Sequence, residues 1–180
     1  MAARASDLPS QRRRHRHDGH ASARAGSRRI EELSREFPDH YWYPTSDLHV
    51  TVLGIRKEAD PQALADVLRN EAPITASIRG LALSPDTVYA QVYVDRGRLA
   101  SLRRRIAKAY GVPLRRVGID LAHANIARLR TSDVDELRRR VRTRRRQNFG
   151  PATFTKVLLA RTDKVFTAAH TTVCAEFPLT

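Results

Sequence analysis

The stretch from Ile74 to Val94 constrains the fold more than any other part of the chain. Ile74, Ala76 and Ile78 alternate with Thr75, Ser77 and Arg79, and Val88 to Val94 is β-branched and aromatic, so strands are expected at about 74–83 and 87–95. Ser84-Pro85-Asp86 joins them as a hairpin turn. Helical patterns flank the hairpin on both sides. Asp60-Pro61 reads as N-cap and first residue of a helix over about 61–71, with Leu64, Val67 and Leu68 on one stripe and Pro73 beyond its end. A second helix, about 97–110, is expected to bury Leu99, Leu102 and Ile106 and to expose Arg103, Arg104, Arg105 and Lys108.

The same reading extends outward. Ser27 is an N-cap candidate for a short helix that starts near 28 and ends before Pro38. Apolar, β-prone runs at about 48–55 and 121–129 read as strands, and Asp133 to Gln147 reads as a helix capped by Ser132 or Thr131, with Val134, Leu137 and Val141 inward and arginine on most other faces. The closing segment Phe154 to Arg161 is expected to turn at Thr162-Asp163-Lys164 and pair with Val165-Phe166-Thr167 and the stretch to Phe177. Residues 28–180 thus form an α+β domain of two strand–helix–strand halves. Residues 1–27, rich in Arg, His and Ser and poor in large apolar side chains, read as a disordered tail.

Two of these strands carry chemistry. Leu48-His49-Val50-Thr51-Val52-Leu53 and Ala122-His123-Ala124-Asn125-Ile126-Ala127 each hold a histidine and a small polar residue two positions apart, and the two histidines are 74 residues apart. Alternate side chains leave a strand on opposite faces, so His49 projects with Thr51, and His123 with Asn125, while Val50, Val52, Ala124 and Ile126 face the other way. Two imidazoles brought together supply one general base and one general acid near neutral pH, and the neighbouring hydroxyl or amide holds the substrate. A lone histidine in a strand is usually structural. Recurrence in both halves is what favours chemistry.

Net charge is +14, of which residues 1–30, with eight arginines and two aspartates, account for +6 and residues 31–180 for the remaining +8. The excess in the folded part suits polyanionic partners such as RNA or nucleotides, and equally a solvated arginine-rich surface. Cys174 is the only cysteine, which excludes an intrachain disulfide and a thiolate zinc cluster, and its apolar setting suggests a small buried residue. No apolar run is long enough to cross a bilayer and no secretory signal pattern opens the chain, so a cytoplasmic protein with no membrane partner is expected.

In these motifs the chain resembles the two-histidine (2H) phosphoesterase superfamily, which includes LigT-like RNA 2′,3′-cyclic phosphodiesterases, also called the 2′-5′ RNA ligase family. Tyr43-Pro44-Thr45-Ser46-Asp47-Leu48-His49-Val50-Thr51 is similar to a full first His-x-Thr/Ser motif, and His123-Ala124-Asn125-Ile126-Ala127-Arg128 to the second. The likeness runs from about residue 29 to 180. It implies a two-lobed fold in which two antiparallel sheets flank a central groove with helices outside. It also implies a metal-independent phosphodiesterase, without cofactor, acting on a cyclic phosphate or 2′-5′ phosphodiester of RNA or a nucleotide. His49 and His123 would be the acid/base pair, and Thr51 and Asn125 the phosphate-binding groups. Asn125 stands where the family has Thr or Ser; an amide also donates a hydrogen bond, but a catalytically weak RNA- or nucleotide-binding protein is the alternative reading. Tyr41 and Tyr43 are candidates for base stacking, and Arg56 and Arg128 for phosphate contact, although Arg128 has the wrong parity for the motif face in a regular strand. RNA ends or nucleotide cyclic phosphates are the expected partners of a monomer. The family's opening apolar strand has no counterpart in the arginine-rich tail, which leaves either an unpaired sheet edge or one covered by another segment.

Overall fold

The computed structural model describes residues 28–44, 48–55, 59–95, 97–113, 122–131, 134–163 and 170–180. Its elements run α1 (28–36), β1 (Tyr41–Trp42), α2 (Pro61–Leu68), β2 (Ile74–Leu83), β3 (Thr87–Val94), α3 (Arg98–Ala109), β4 (Ala122–Arg128), α4 (Asp135–Thr143), β5 (Asn148–Phe154), β6 (Lys156–Arg161) and β7 (Thr172–Pro178). The hairpin forms as the alternation predicts: β2 and β3 pair antiparallel, and the Ser84 N–H donates to the Thr87 carbonyl at 2.8 Å to close the turn. Around it grows a five-stranded antiparallel sheet in the order β1-β4-β3-β2-β5, while β6 and β7 form a second, two-stranded sheet.

One face of the large sheet is apolar and takes the helices. Leu81, Val88, Ala90 and Ile126 pack against Ile30 and Leu33 of α1 and Leu137 and Val141 of α4. Farther along, Ala76, Val92, Ala122 and Ala124 meet Leu99 of α3. The inner stripe of α3, Leu102 and Ile106, joins Leu64 and Leu68 of α2 in a third cluster, on which β6 and β7 lay Val157, Leu159 and Phe177. Asp60 caps α2 by accepting from the Gln62 N–H at 2.9 Å, and Pro61 at its first turn costs no hydrogen bond. Glu71, just past α2, pairs with Arg98 and Arg105 and so ties the exit of α2 to α3.

Four differences from the sequence expectation bear on the site. The run at 48–55 is not a regular strand; among the described residues its one ladder contact is an isolated antiparallel bridge from Val50 to Ala124. Arg103 is not exposed but only 8% accessible, because its Nε donates to the Val52 carbonyl at 2.7 Å and another guanidinium nitrogen to the Thr51 carbonyl at 3.2 Å. These carbonyls belong to a segment that has left the ladder, and the buried cation replaces the strand partner. β5 contains Gly150 and Pro151, which hid it in the sequence; it is an edge strand paired, among the described residues, with β2 alone, where a residue without an N–H is tolerated. Phe154 accordingly ends β5, and β6 starts at Lys156.

Smaller corrections follow the same logic. α2 stops at Leu68 rather than 71, and α4 runs from Asp135 with Val134 at its cap. Cys174 is exposed, since a two-stranded sheet buries only one of its faces. The tail over 1–27, Arg56, Ser132, Asp133 and the segment 164–169 lie outside the described residues. Among the described residues no helix is long and apolar enough to cross a membrane.

Candidate functional site

β4 is the scaffold of the candidate site. Its Ala122, Ala124 and Ile126 are buried, so His123 and Asn125 leave on the opposite face, away from the helices. The bridge from Val50 to Ala124 lays the first motif along the free edge of β4, and Val50 packs with Ala124 on the core side. Bridge partners share a face and neighbours alternate, so His49 and Thr51 rise on the same face as His123 and Asn125. Carried one residue either way from this bridge, an antiparallel register would set Thr51 beside His123 and His49 beside Asn125. In that register each imidazole would flank the other motif's polar side chain, and the two histidines would be diagonal neighbours, about 7 Å apart at their Cβ atoms by the geometry of such pairs. The two halves do not hold their motifs apart; one sheet edge carries both.

A cation reaches this face through a bulge. β3 pairs Tyr89 with Asn125 but Val88 with Ala127, which leaves Ile126 as an extra residue in β4. Ile126 and Ala127 both point into the core with no exposed surface, and parity is reset, so Arg128 opposite Thr87 lies on the histidine face. The bulge forfeits about one ladder hydrogen bond, worth roughly 1 kcal/mol, whereas burying the isoleucine contributes roughly 2–3 kcal/mol. The register is thus set by packing. The Arg128 guanidinium is held from below: it donates to Asp86 Oδ2 at 3.0 Å and Thr87 Oγ1 at 2.8 Å, and its Nε lies 3.4 Å from the Tyr43 hydroxyl. The hydroxyls of Thr87 and Ser84 donate to Asp86 and, with Arg128, hold its carboxyl below the usual carboxylate value.

The surroundings of His123 favour its neutral form. Burial against its neighbours, then the positive charges of Arg103 and Arg128, lower its pKa below the ordinary imidazole value of 6.5. The Tyr89 ring packs edge-on at 5.4 Å between centroids, and Gln91 stands directly across the ladder. Neither Tyr89 nor Gln91 belongs to a sequence motif, although both follow from the alternation of β3 once its pairing with β4 is known. Tyr43 is buried and contacts Tyr41 edge to face at 5.0 Å, with the Arg130 guanidinium 5.4 Å from the Tyr41 ring centre. Tyr43 therefore supports Arg128, and Tyr41, opposite Arg128 in the ladder, is the aromatic nearer solvent.

No known family's sequence profile matches the chain, and no curated protein matches it by sequence. By fold it is similar to the crystal structure of TT0787 of Thermus thermophilus, with a TM-score of 0.60 over 89% of this chain and 92% of that one at 20% identity. The likeness is one of fold.

Proposed function

We propose that the chain is a 2H-type phosphodiesterase that hydrolyses a cyclic phosphate or 2′-5′ phosphodiester of RNA or a nucleotide by two-histidine acid/base catalysis. The observation that carries this reading is the Val50–Ala124 bridge, which puts two imidazoles, a hydroxyl and an amide on one face of one sheet edge. Arg128, brought to that face by the bulge, adds a cation.

In this reading the scissile phosphate lies over the square formed by His49, Thr51, His123 and Asn125. His123, kept neutral, takes a proton from water as the water oxygen bonds to phosphorus. The phosphorus–oxygen bond to the ribose breaks on the far side, and His49, as the general acid, donates a proton to the departing oxygen. Thr51, Asn125 and Arg128 stabilise the charge that grows on the non-bridging oxygens. Turnover of a nucleoside 2′,3′-cyclic phosphate with EDTA present, abolished by either His49→Ala or His123→Ala, tests the reading; retention of full activity in either variant sinks it.

Asn125 favours one second reading. An amide replaces the hydroxyl that the resembled motif carries, which suits a protein that binds RNA or nucleotides at this face and turns them over slowly. Asn125→Thr distinguishes the two: a large gain in turnover at unchanged binding supports the second reading, and a loss supports the first.

A further inference from the structure

The histidine face does not end at β4. Across the ladder His123 stands opposite Gln91 of β3, and Gln91 opposite Arg79 of β2, so the three form one row across the sheet. Strands are about 4.8 Å apart, which puts Arg79 roughly 10 Å from the histidine strand on the same face. Arg79 is exposed and makes no salt bridge among the described residues. Beside the row stands Tyr93, the exposed aromatic of this sheet at 53% accessibility, its hydroxyl donating to Gln91 Oε1 at 3.0 Å.

At Arg79 the row meets a second basic feature. Gly80, in a left-handed conformation at φ 68°, donates its N–H to the Gln147 carbonyl at 2.7 Å, and a Cβ there would come within 2.3 Å of the Arg145 carbonyl oxygen. The turn after α4 is therefore clamped against β2 immediately beside Arg79. On α4 itself the acids are spent early: Asp135 pairs with Arg138, Glu136 with Arg139, and Glu36 of α1 with Arg140. Arg142, Arg145 and Arg146 at its far end are exposed and have no acidic partner among the described residues.

We infer that the histidine face continues as a track for single-stranded RNA, running from His123 past Gln91 and Tyr93 to Arg79 and on to the arginine turn at 142–146. Unpaired arginines contact successive phosphates, and the exposed tyrosine ring offers a stacking platform that accepts any base, the combination by which single strands are held without sequence preference. A bilayer surface fits less well, because α4 turns its apolar side chains into the core and presents arginine without exposed apolar residues between them. The direction of the track rests on the proposed site; the basic row and turn do not.

The test is binding of a fluorescent 12-nucleotide RNA ending in a plain 3′ hydroxyl, which presents no cyclic phosphate to hydrolyse, measured by anisotropy over a range of salt. For R142Q/R145Q/R146Q a loss of affinity of about tenfold is expected, with the slope of log K against log salt shallower by about two, since each phosphate contact contributes about 0.7. Y93A and R79Q should each weaken binding several-fold. Unchanged affinity and slope overturn the inference, as does an equal loss in R35Q/R69Q/R104Q, which lowers net charge by the same amount elsewhere, or binding to anionic vesicles with none to RNA. If the triple variant melts early, chemical-shift changes in the wild type on adding the RNA decide: shifts at Arg79, Gln91, Tyr93 and Arg145 support the track, and shifts confined to other surfaces overturn it. Absence of turnover in the wild type would end the phosphodiesterase reading and leave this measurement intact.

Discussion

Replacing Arg103 by Met probes how the first motif is held. The guanidinium supplies donors to the Thr51 and Val52 carbonyls from a site that is 8% accessible, and methionine fills most of the volume without a donor. A hydrogen bond from a charged group contributes about 1.5 kcal/mol or more, so the loss of both costs about 3 kcal/mol. Removing the buried cation also removes its own desolvation cost, which offsets part of this and leaves about 2–3 kcal/mol. For a domain of this size each kcal/mol shifts the melting temperature by about 2–4 °C, giving an expected drop of about 5–10 °C in a calorimetric or circular-dichroism melt. The same substitution removes a positive charge that depresses His123, so the imidazole should titrate at higher pH in R103M than in the wild type when followed by proton NMR. R103K keeps the charge but not the fork, so it should show most of the thermal loss and little of the pH shift. A melting temperature within about 2 °C of wild type in R103M would refute the idea that this side chain stands in for a missing strand partner.

Four further outcomes are expected. His123 has a folded pKa below 6.5, so its base form persists to lower pH than in a free imidazole; the acid limb of kcat/KM should lie below pH 6.5 and move upward in R128Q, as measured in a pH–rate profile. Stability follows the same sign: the contribution is fully present above pH 6.5 and is lost as pH falls through the folded pKa of His123. Gly80→Ala places a Cβ against the Arg145 carbonyl oxygen at a positive φ, so it should destabilise by about 2 kcal/mol or more in urea unfolding, whereas Gly97→Ala, with open space around it, should cost about 1 kcal/mol. Leu102→Ala, in the fully buried stripe of α3, should cost about 3 kcal/mol by the same measurement.

Much of the α+β pattern was legible because it depends on near neighbours. The boundaries of β2 and β3, the Asp60 cap and the inner stripe of α3 all follow from residues within one turn or one strand of each other. What misled was local chemistry overruled at a distance. Arg103 sits among Leu102, Arg104 and Arg105, and nothing in that sequence distinguishes it from its exposed neighbours; the Thr51 and Val52 carbonyls, far earlier in the chain, draw it inward. Gly150 and Pro151 speak against a strand, yet an edge position beside β2 accommodates them.

The candidate site divides along the same line. Period-two alternation by itself determined that His49 goes with Thr51 and His123 with Asn125, because side-chain direction along an extended chain is a local property. Only the tertiary structure decided that both pairs share one face, through a bridge between Val50 and Ala124, and that Arg128 joins them, through the extra residue Ile126. Pairing partners and bulges are choices among many backbone hydrogen-bond registers of nearly equal local energy. Burial of Ile126 against α1 and α4, and of Ala124 and Val50 against Leu99 of α3, selects among them, and α1 and α3 lie far from β4 in sequence.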